Sequence, residues 1–235
     1  MKNQSFLVSS LVAHRGMHSK KVTENTLEAF SIAIKNNYII EFDIHLLKDK
    51  NIVVYHDNNL KRLTGINKRV KELTLQEIND IKLPNNSKIP TFEETLKLIN
   101  GQVPIIIELK SDNKAGKLEK ELVKYLDNYD GLFAVKSFNP LTIRWFKKHR
   151  PNYIRGLLLS GKGDIGNKIF RSSFVFNFCK PDFLSCNYLL YNHKLMKRKI
   201  LKLCWTISSE EDFNKYKGYF DNLICENILE EEHKI

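Results

Sequence analysis

The strongest constraint on the fold is a regular alternation of short apolar runs with helical segments along the chain. Strands that alternate with helices form parallel βα units, because a parallel strand can only be reached by a long crossover connection. The apolar runs predict eight strands, which begin at residues 7, 39, 104, 132, 153, 182, 201 and 221. Eight such units close a barrel of roughly 250 residues. The 235 residues of this chain therefore predict the α/β class and a (β/α)8 TIM barrel.

The connections follow the same pattern, with one exception. Capping residues and apolar spacing predict helices at about 26–35, 90–100, 115–128, 140–149, 164–177, 192–199 and 209–217. The exception follows the second strand: a short strand at 52–55 leads into a polar, turn-rich stretch at 58–90, with a small helix near 74–81. We interpret residues 47–90 as a small insertion over the active site, and residues 1–235 as a single barrel domain.

Side chains of catalytic type stand where the predicted strands end. They are His14, Glu41, Asp43, Glu108, Ser137 and Trp205. Residues two apart on a strand point to the same face, so Glu41 and Asp43 share a face, and so do Glu108 and Lys110. Barrels assemble their active sites at the carboxyl ends of the strands. The sequence therefore places these groups around one site.

The chemistry of these residues points to a metal centre that acts on a phosphate. Three carboxylates on neighbouring strands, Glu41, Asp43 and Glu108, can converge on one cation. Hard oxygen ligands suit Mg²⁺ or Ca²⁺, with Mn²⁺ also acceptable, better than zinc. His14 and His56 are of the type that serves as acid and base near neutral pH. The basic side chains beside them are expected to face the phosphate.

Several side chains keep two interpretations. Asn25 either caps the first helix, which is the favoured interpretation, or belongs to the site. Trp205 either stacks on substrate or fills the barrel mouth. His45 shares the face of Asp43, and either packing or a hydrogen bond explains it. Ser137 is expected to form hydrogen bonds rather than to act as a nucleophile, and His18 is expected at the surface.

Charge and composition exclude some classes of protein. The net charge is +11, but the basic residues are scattered and form no stripe interleaved with aromatics, so nucleic-acid binding is not expected. No apolar run approaches the ~18 residues that span a membrane. The N-terminus is short and polar, unlike a secretory signal, so we expect a soluble, cytoplasmic protein. The four cysteines lack metal-binding spacing and are expected to be buried free thiols. The oligomeric state stays open.

An ordered set of motifs resembles the glycerophosphodiester phosphodiesterase family, in its short, single-domain bacterial form. The motifs are H-R-G at 14–16, E-N-T at 24–26, E-F-D at 41–43, H-D at 56–57, I-P-T at 89–91, E-L-K at 108–110, S-F at 137–138 and W-T at 205–206. They fall in family order and cover about residues 12–225. The family fold is an α/β barrel with a small insertion after the second strand.

The resemblance implies a role for each matching residue. Glu41, Asp43 and Glu108 correspond to the metal ligands, and His14 and His56 to the catalytic histidine pair. The substrate-binding residues are Arg15, Lys110 and Trp205, the first two as cations beside the phosphate. Family members hydrolyse deacylated phospholipids, such as glycerophosphocholine, to glycerol 3-phosphate and an alcohol with the help of Mg²⁺ or Ca²⁺.

The last strand departs from the family pattern. It ends in I-C-E-N, with Cys225 and Glu226 where the family usually has T-D or T-N. The head-group preference is therefore open. Two alternative functions also remain at this stage. One is a related barrel phosphodiesterase, of phospholipase D or cyclising phospholipase C type, that acts on lysolipids. The other is an inactive head-group-binding barrel, which would have no need of an acid–base pair.

Overall fold

The computed structural model describes residues 2–111, 114–161 and 172–228. In these ranges the predicted (β/α)8 barrel is confirmed. The strands are β1 Val12–His14, β2 Ile39–Leu46, β3 Ile52–Val54, β4 Ile105–Leu109, β5 Phe133–Ser137, β6 Ile154–Leu159, β7 Phe183–Asn187, β8 Leu201–Ile207 and β9 Asn222–Cys225. The α-helices are α1 Leu27–Lys35, α2 Lys61–Thr64, α3 Leu75–Asn79, α4 Phe92–Ile99, α5 Lys117–Leu126, α6 Pro140–His149, α7 Ser173–Cys179 and α8 Glu210–Tyr216.

The strand order explains how the barrel closes. Neighbouring strands run in the order β1-β9-β8-β7-β6-β5-β4-β2-β3, and β1 also pairs with β2. All of these pairings are parallel except that of β3, which is antiparallel to β2. Removing β3 leaves eight parallel strands in a closed ring. The ring brings the first strand against the last.

The barrel interior has an apolar floor. Its buried members are Phe6, Leu7, Val12, Ile39, Ile106, Ala134, Ile154, Phe183, Leu203 and Ile224. Because side chains alternate along a strand, the inward residue that follows Ile39 is Glu41, and the one that follows Ile106 is Glu108. The apolar layer is thus the base on which the polar groups at the carboxyl ends of the strands rest. The outer faces of the strands pack against the helices in a separate, larger core.

The insertion after β2 has a small core of its own, which includes Leu47, Leu60, Val70 and Ile78. The small helix expected near 74–81 is α3, and its capping box is formed by Thr74 and Glu77. In the described part of the chain no helix is both long and apolar enough to span a bilayer. All four cysteines are buried and free, as expected.

Two local predictions are wrong. The first strand begins at Val12 rather than at residue 7, because Ser5–Val8 forms a 3-10 helix. Phe6 and Leu7 of that turn pack into the apolar floor. This packing explains why the segment is apolar although it is not a strand. No α-helix is formed at 192–199: that segment contains only a 3-10 turn at Lys194–Lys197, capped by the His193 side chain.

A third prediction lies partly outside the described residues. The helix expected at 164–177 includes residues 164–171, of which nothing is described. The rest of the predicted helix corresponds to α7, Ser173–Cys179. This helix ends two residues later than predicted. The side chain of Ser172 caps this helix at its N-terminus.

The interior packing predicts an asymmetric response to two glycine substitutions. A Cβ atom built on Gly156 would lie 2.2 Å from Cζ of the buried Phe183 ring, whereas one built on Gly218 would meet nothing within 4 Å. We expect Gly156→Ala to lower the free energy of unfolding by about 1–3 kcal/mol, because overpacking forces strain on a closed interior. Gly218→Ala, the matched control, should change it by less than about 0.5 kcal/mol. Urea denaturation measures both, and equal values would contradict the packing described here.

Candidate active site

Strand register brings the three carboxylates together. Across the parallel pairs, His14 is opposite Glu41, Asp43 is opposite Glu108, and Glu108 is opposite Lys136. Glu41, Asp43 and Glu108 are 0%, 1% and 6% exposed. One ligand atom from each lies within 4.8 Å of the others. The three residues proposed as metal ligands from sequence therefore form one buried cluster.

Two lysines balance the charge of this cluster. Lys110 Nζ lies 2.9 Å from Asp43 Oδ1 and also contacts Glu108 Oε1. Lys136, which is only 2% exposed, places Nζ 2.9 Å from Glu41 Oε1 and 3.5 Å from Glu108 Oε2. Isolated charges are costly in a protein interior, and these pairs offset that cost. Lys110 was predicted at the site, whereas Lys136 was not.

The surroundings keep two of the three carboxylates, Asp43 and Glu108, ionised. Burial alone would raise the pKa of Asp43, but Lys110, His56 and Arg15, with a hydrogen bond from Asn25, hold that pKa well below its ordinary value. Burial likewise works against ionised Glu108, yet the charge of Lys110 keeps its pKa below the ordinary range. Both carboxylates are therefore charged at neutral pH and can accept a cation.

The turn after β1 aims Arg15 into the cluster. Arg15 has a φ of 57°, in the left-handed region, and its backbone N–H donates to Glu41 Oε2 at 3.2 Å. Its side-chain Nε lies 3.5 Å from Asp43 Oδ2. Gly16 follows with a φ of 78°, and a Cβ atom there would lie 2.9 Å from Ala29. The H-R-G sequence thus allows a tight turn beneath α1 that places a guanidinium beside the carboxylates.

His14 is held by a residue that is distant in the sequence but follows β9, the strand beside β1. Its Nδ1 lies 2.7 Å from Glu226 Oε2, and His18 Nε2 lies 3.6 Å from the same oxygen. A carboxylate only accepts hydrogen bonds, so Nδ1 of His14 carries the proton and Nε2 is left for chemistry. The hydrogen bond from His14, with the nearby His18, lowers the pKa of Glu226. His18 was expected at the surface, and that expectation is wrong because it packs beside Glu226.

His56 is held in a similar way, through a longer chain of ion pairs. Asp57 Oδ1 accepts from His56 Nδ1 at 2.6 Å, and Asp57 Oδ2 accepts from Arg62 Nε at 2.6 Å. Arg62 also donates to both oxygens of Glu24, which in turn accepts from Arg15 Nη1 at 2.8 Å. The insertion, which contributes Arg62, is thereby tied to both His56 and Arg15.

The remaining candidates divide between site and scaffold. Asn25 is not the helix cap: Thr26 caps α1, and Asn25 Nδ2 donates to Asp43 Oδ2 at 3.0 Å. The Ser137 hydroxyl donates to Leu109 O, a hydrogen-bonding role as expected. The His45 ring lies 3.3 Å from the carbonyl oxygen of His56, and burial lowers the pKa of His45 to about 4.

Trp205 lies at the mouth of the barrel. Its Nε1 donates to Ser185 O at 2.9 Å, and its ring packs edge-on against Phe138 with centroids 5.7 Å apart. Both side chains retain some exposure, and Phe138 is 41% exposed. The pair forms an aromatic wall at the opening, and Phe138 lines one pocket together with Lys110 and Glu108.

The cluster fits a hard divalent cation. Its donors are all carboxylate oxygens, with no sulfur, as Mg²⁺, Ca²⁺ and Mn²⁺ prefer. Glu41 Oε1 is buried and, despite the nearby Lys136, makes no hydrogen bond of good geometry. An under-coordinated buried carboxylate oxygen is suited to a metal ion. The donor set does not choose among the three metals.

Comparison with known proteins gives a family match over most of the chain. The Glycerophosphoryl diester phosphodiesterase family matches residues 14–221. A glycerophosphodiester phosphodiesterase of Caldanaerobacter subterraneus is 36% identical over 160 residues, which are 63% of this chain and 65% of that protein. The chain thus spans just under two thirds of that relative's length.

Two solved structures share the fold. The Thermotoga maritima glycerophosphodiester phosphodiesterase is 26% identical with a TM-score of 0.73, and covers 92% of this chain and 94% of its own. An Oleispira antarctica phosphodiesterase in complex with its product sn-glycerol 3-phosphate has a TM-score of 0.77 at 21% identity, with 93% of each chain covered.

Removal of Lys136 should reveal its part in the charge balance. In chelator, we expect Lys136→Met to lower the free energy of unfolding by about 3–5 kcal/mol, because the change leaves a buried carboxylate uncompensated. Added Mg²⁺ or Ca²⁺ should then raise the melting temperature of the variant more than that of the wild type. Thermal and urea unfolding measure both effects.

The matched control is Lys148→Met, at an exposed position of α6. We expect it to change the free energy of unfolding by less than about 0.5 kcal/mol and to leave the response to metal unchanged. If Lys136→Met behaved like Lys148→Met in both measurements, the charge balance described for the cluster would be wrong.

Proposed function

The chain belongs to the glycerophosphoryl diester phosphodiesterase family, and on that premise we propose that it hydrolyses glycerophosphodiesters to sn-glycerol 3-phosphate and an alcohol. One observation carries the proposal: three buried carboxylates share a site with two histidines, each of which has its Nδ1 bound by a carboxylate. This arrangement leaves Nε2 of both imidazoles for proton transfer. A barrel that only bound head groups would not need two oriented histidines.

The charges of the site suit a phosphodiester. The substrate carries a negative charge that repels a nucleophile, and more charge builds on its oxygens in the transition state. Of the three cations against the carboxylate cluster, Arg15 and Lys110 are more exposed than Lys136, and we assign these two to the phosphate oxygens. A divalent ion held by Glu41, Asp43 and Glu108 supplies further positive charge at the same oxygens when it is bound.

The two histidines can divide the proton transfers. One removes the proton of the glycerol 2-hydroxyl as its oxygen bonds to phosphorus, while the other donates a proton to the oxygen of the departing alcohol. A cyclic phosphate results. In the second half the roles reverse: water, deprotonated by one histidine, attacks phosphorus, and the 2-oxygen leaves with a proton from the other.

Asp57 and Glu226 act through their histidines. A carboxylate bound to Nδ1 fixes the ring and its tautomer, and it stabilises the imidazolium that forms when Nε2 takes a proton. Asp57 is itself held by Arg62. These carboxylates are positioning residues in the proposed scheme. Trp205, with Phe138, is assigned to the glycerol side of the substrate because an aromatic face suits its carbon backbone.

The activity itself can be tested by a coupled assay of glycerol 3-phosphate release. We expect release from at least one of glycerophosphocholine, glycerophosphoethanolamine and glycerophosphoglycerol with added Mg²⁺, Ca²⁺ or Mn²⁺, and none after chelation. No release from any substrate with any of the three metals would refute the proposal. A product that stops at the cyclic phosphate would instead favour a cyclising phosphodiesterase.

Substitution of the histidines tests the acid–base scheme. We expect His14→Ala and His56→Ala each to lower kcat by about 10²–10⁴-fold, the range that general acid–base catalysis contributes. His149→Ala, a histidine on the outer surface at the end of α6, is the control and should leave kcat within about twofold. Losses of only a fewfold in both site variants would exclude the scheme.

A further inference from the structure

A cavity of about 590 Å³ opens beside the carboxylate cluster. It shares Lys110 with the cluster, and its walls come from three separate parts of the chain. The insertion contributes Arg69 and Lys71, the end of β4 contributes Lys110, and the segment that leads into α5 contributes Lys114 and Lys117. The proposed reaction uses only Lys110 of this set, so the other basic groups require a separate explanation.

The described lining of the cavity is strongly basic. Five of its side chains are cationic, and Glu119 is its one acid among the described residues. Glu119 is 1% exposed, and its oxygens already accept hydrogen bonds from Ser111 Oγ, Gly116 N and Thr142 Oγ1. That carboxylate therefore organises the start of α5 and faces little of the cavity.

Three of the outer cations, Arg69, Lys114 and Lys117, form at most a weak ion pair with other described residues. Arg69 Nη1 lies 4.0 Å from Glu72 Oε1, and both side chains are more than half exposed. Exposed ion pairs of this kind contribute little to the free energy of folding. Lys114 and Lys117 have no ion pair with another described residue. Like charges that converge on one hollow repel one another, and a bound anion removes that repulsion.

The two sides of the barrel mouth thus differ in chemistry. On one side of Lys110, Phe138 lines a pocket with that lysine and packs against Trp205. On the other side of Lys110, the basic cavity extends towards the insertion and the start of α5. A phosphodiester has two arms. The aromatic wall suits neutral glycerol, and the cavity suits an anion. A cationic head group such as choline would be repelled by the cavity.

We propose that this cavity binds a second phosphate carried by the leaving alcohol, so that the preferred substrates are glycerophosphodiesters with an additional phosphate group. The inference rests on the proposed function and specifies its substrate class. Arg69, Lys114 and Lys117 are the specificity-determining residues. Flexible exposed side chains give a modest, salt-sensitive preference, which we place at roughly tenfold.

The test compares glycerophosphoglycerol with 1,3-bis(glycerophospho)glycerol, which repeats the same scissile unit and adds one phosphodiester. In the wild type we expect kcat/KM to be roughly tenfold higher for the second compound, beyond the factor of about two that its two equivalent bonds give. The variant Arg69→Gln/Lys114→Gln/Lys117→Gln should lose this preference. The control, Lys97→Gln/Lys148→Gln/Lys215→Gln, changes the net charge equally at exposed positions outside the cavity and should keep it.

A binding measurement makes the result independent of turnover. In a His14→Ala background with Mg²⁺, calorimetry should give a lower Kd for the bis-compound than for glycerophosphoglycerol, and the difference should shrink at high salt. Equal Kd values, or a preference that survives the cavity substitutions, would overturn this inference. If the wild type hydrolysed neither compound nor any other glycerophosphodiester, such as glycerophosphocholine, the proposed function would be contradicted. Hydrolysis of glycerophosphocholine alone, or of both compounds without preference, would overturn only the cavity assignment.

Discussion

The structure depends on one electrostatic arrangement: three carboxylates buried at the carboxyl end of a closed barrel, balanced by lysines that are buried with them. A carboxylate taken out of water needs a partner, and Glu41, Asp43 and Glu108 find theirs in Lys110 and Lys136. Strand register makes this possible, because it sets Asp43 beside Glu108 and Glu108 beside Lys136. The apolar floor beneath them keeps water out and leaves only the mouth of the barrel open.

Local sequence patterns predicted much of this site, because a strand has a fixed period. Alternation alone put Glu41 on the face of Asp43 and Glu108 on the face of Lys110, and the structure brings these residues together. The alternation of apolar runs with helical segments gave the eight strands of the barrel. That these residues bind metal and act on a phosphodiester stays a prediction, as does the interpretation of residues 1–235 as a single domain. The predictions failed where an apolar run had a use other than pairing, as at Leu7, or where a helical spacing was too short to form more than one turn, as at 194–197.

The residues that were missed act over long distances in the sequence. Glu226 binds His14 across 212 positions, and no local pattern connects the two. The sequence shows that Glu226 departs from the family motif, but only the structure shows that it contacts His14. Arg62 similarly lies in a turn-rich insertion, yet it joins Glu24 to Asp57 and so links the insertion to both sides of the site. Lys136 was missed because a single lysine in a strand is usually exposed. Its burial can be predicted only once the strand pairing that sets it opposite Glu108 is known.

The pairing of β1 with β9 has a consequence for the order of events during synthesis. A ribosome releases His14 well before Glu226, which lies 212 positions further along the chain. A nascent chain therefore carries the three clustered carboxylates, and both histidines of the site, well before the group that binds the first imidazole. The contact between His14 and Glu226 can form only after β9 has paired with β1 and closed the barrel. A chain truncated before β9 would therefore keep the three carboxylates but lack the partner that orients His14.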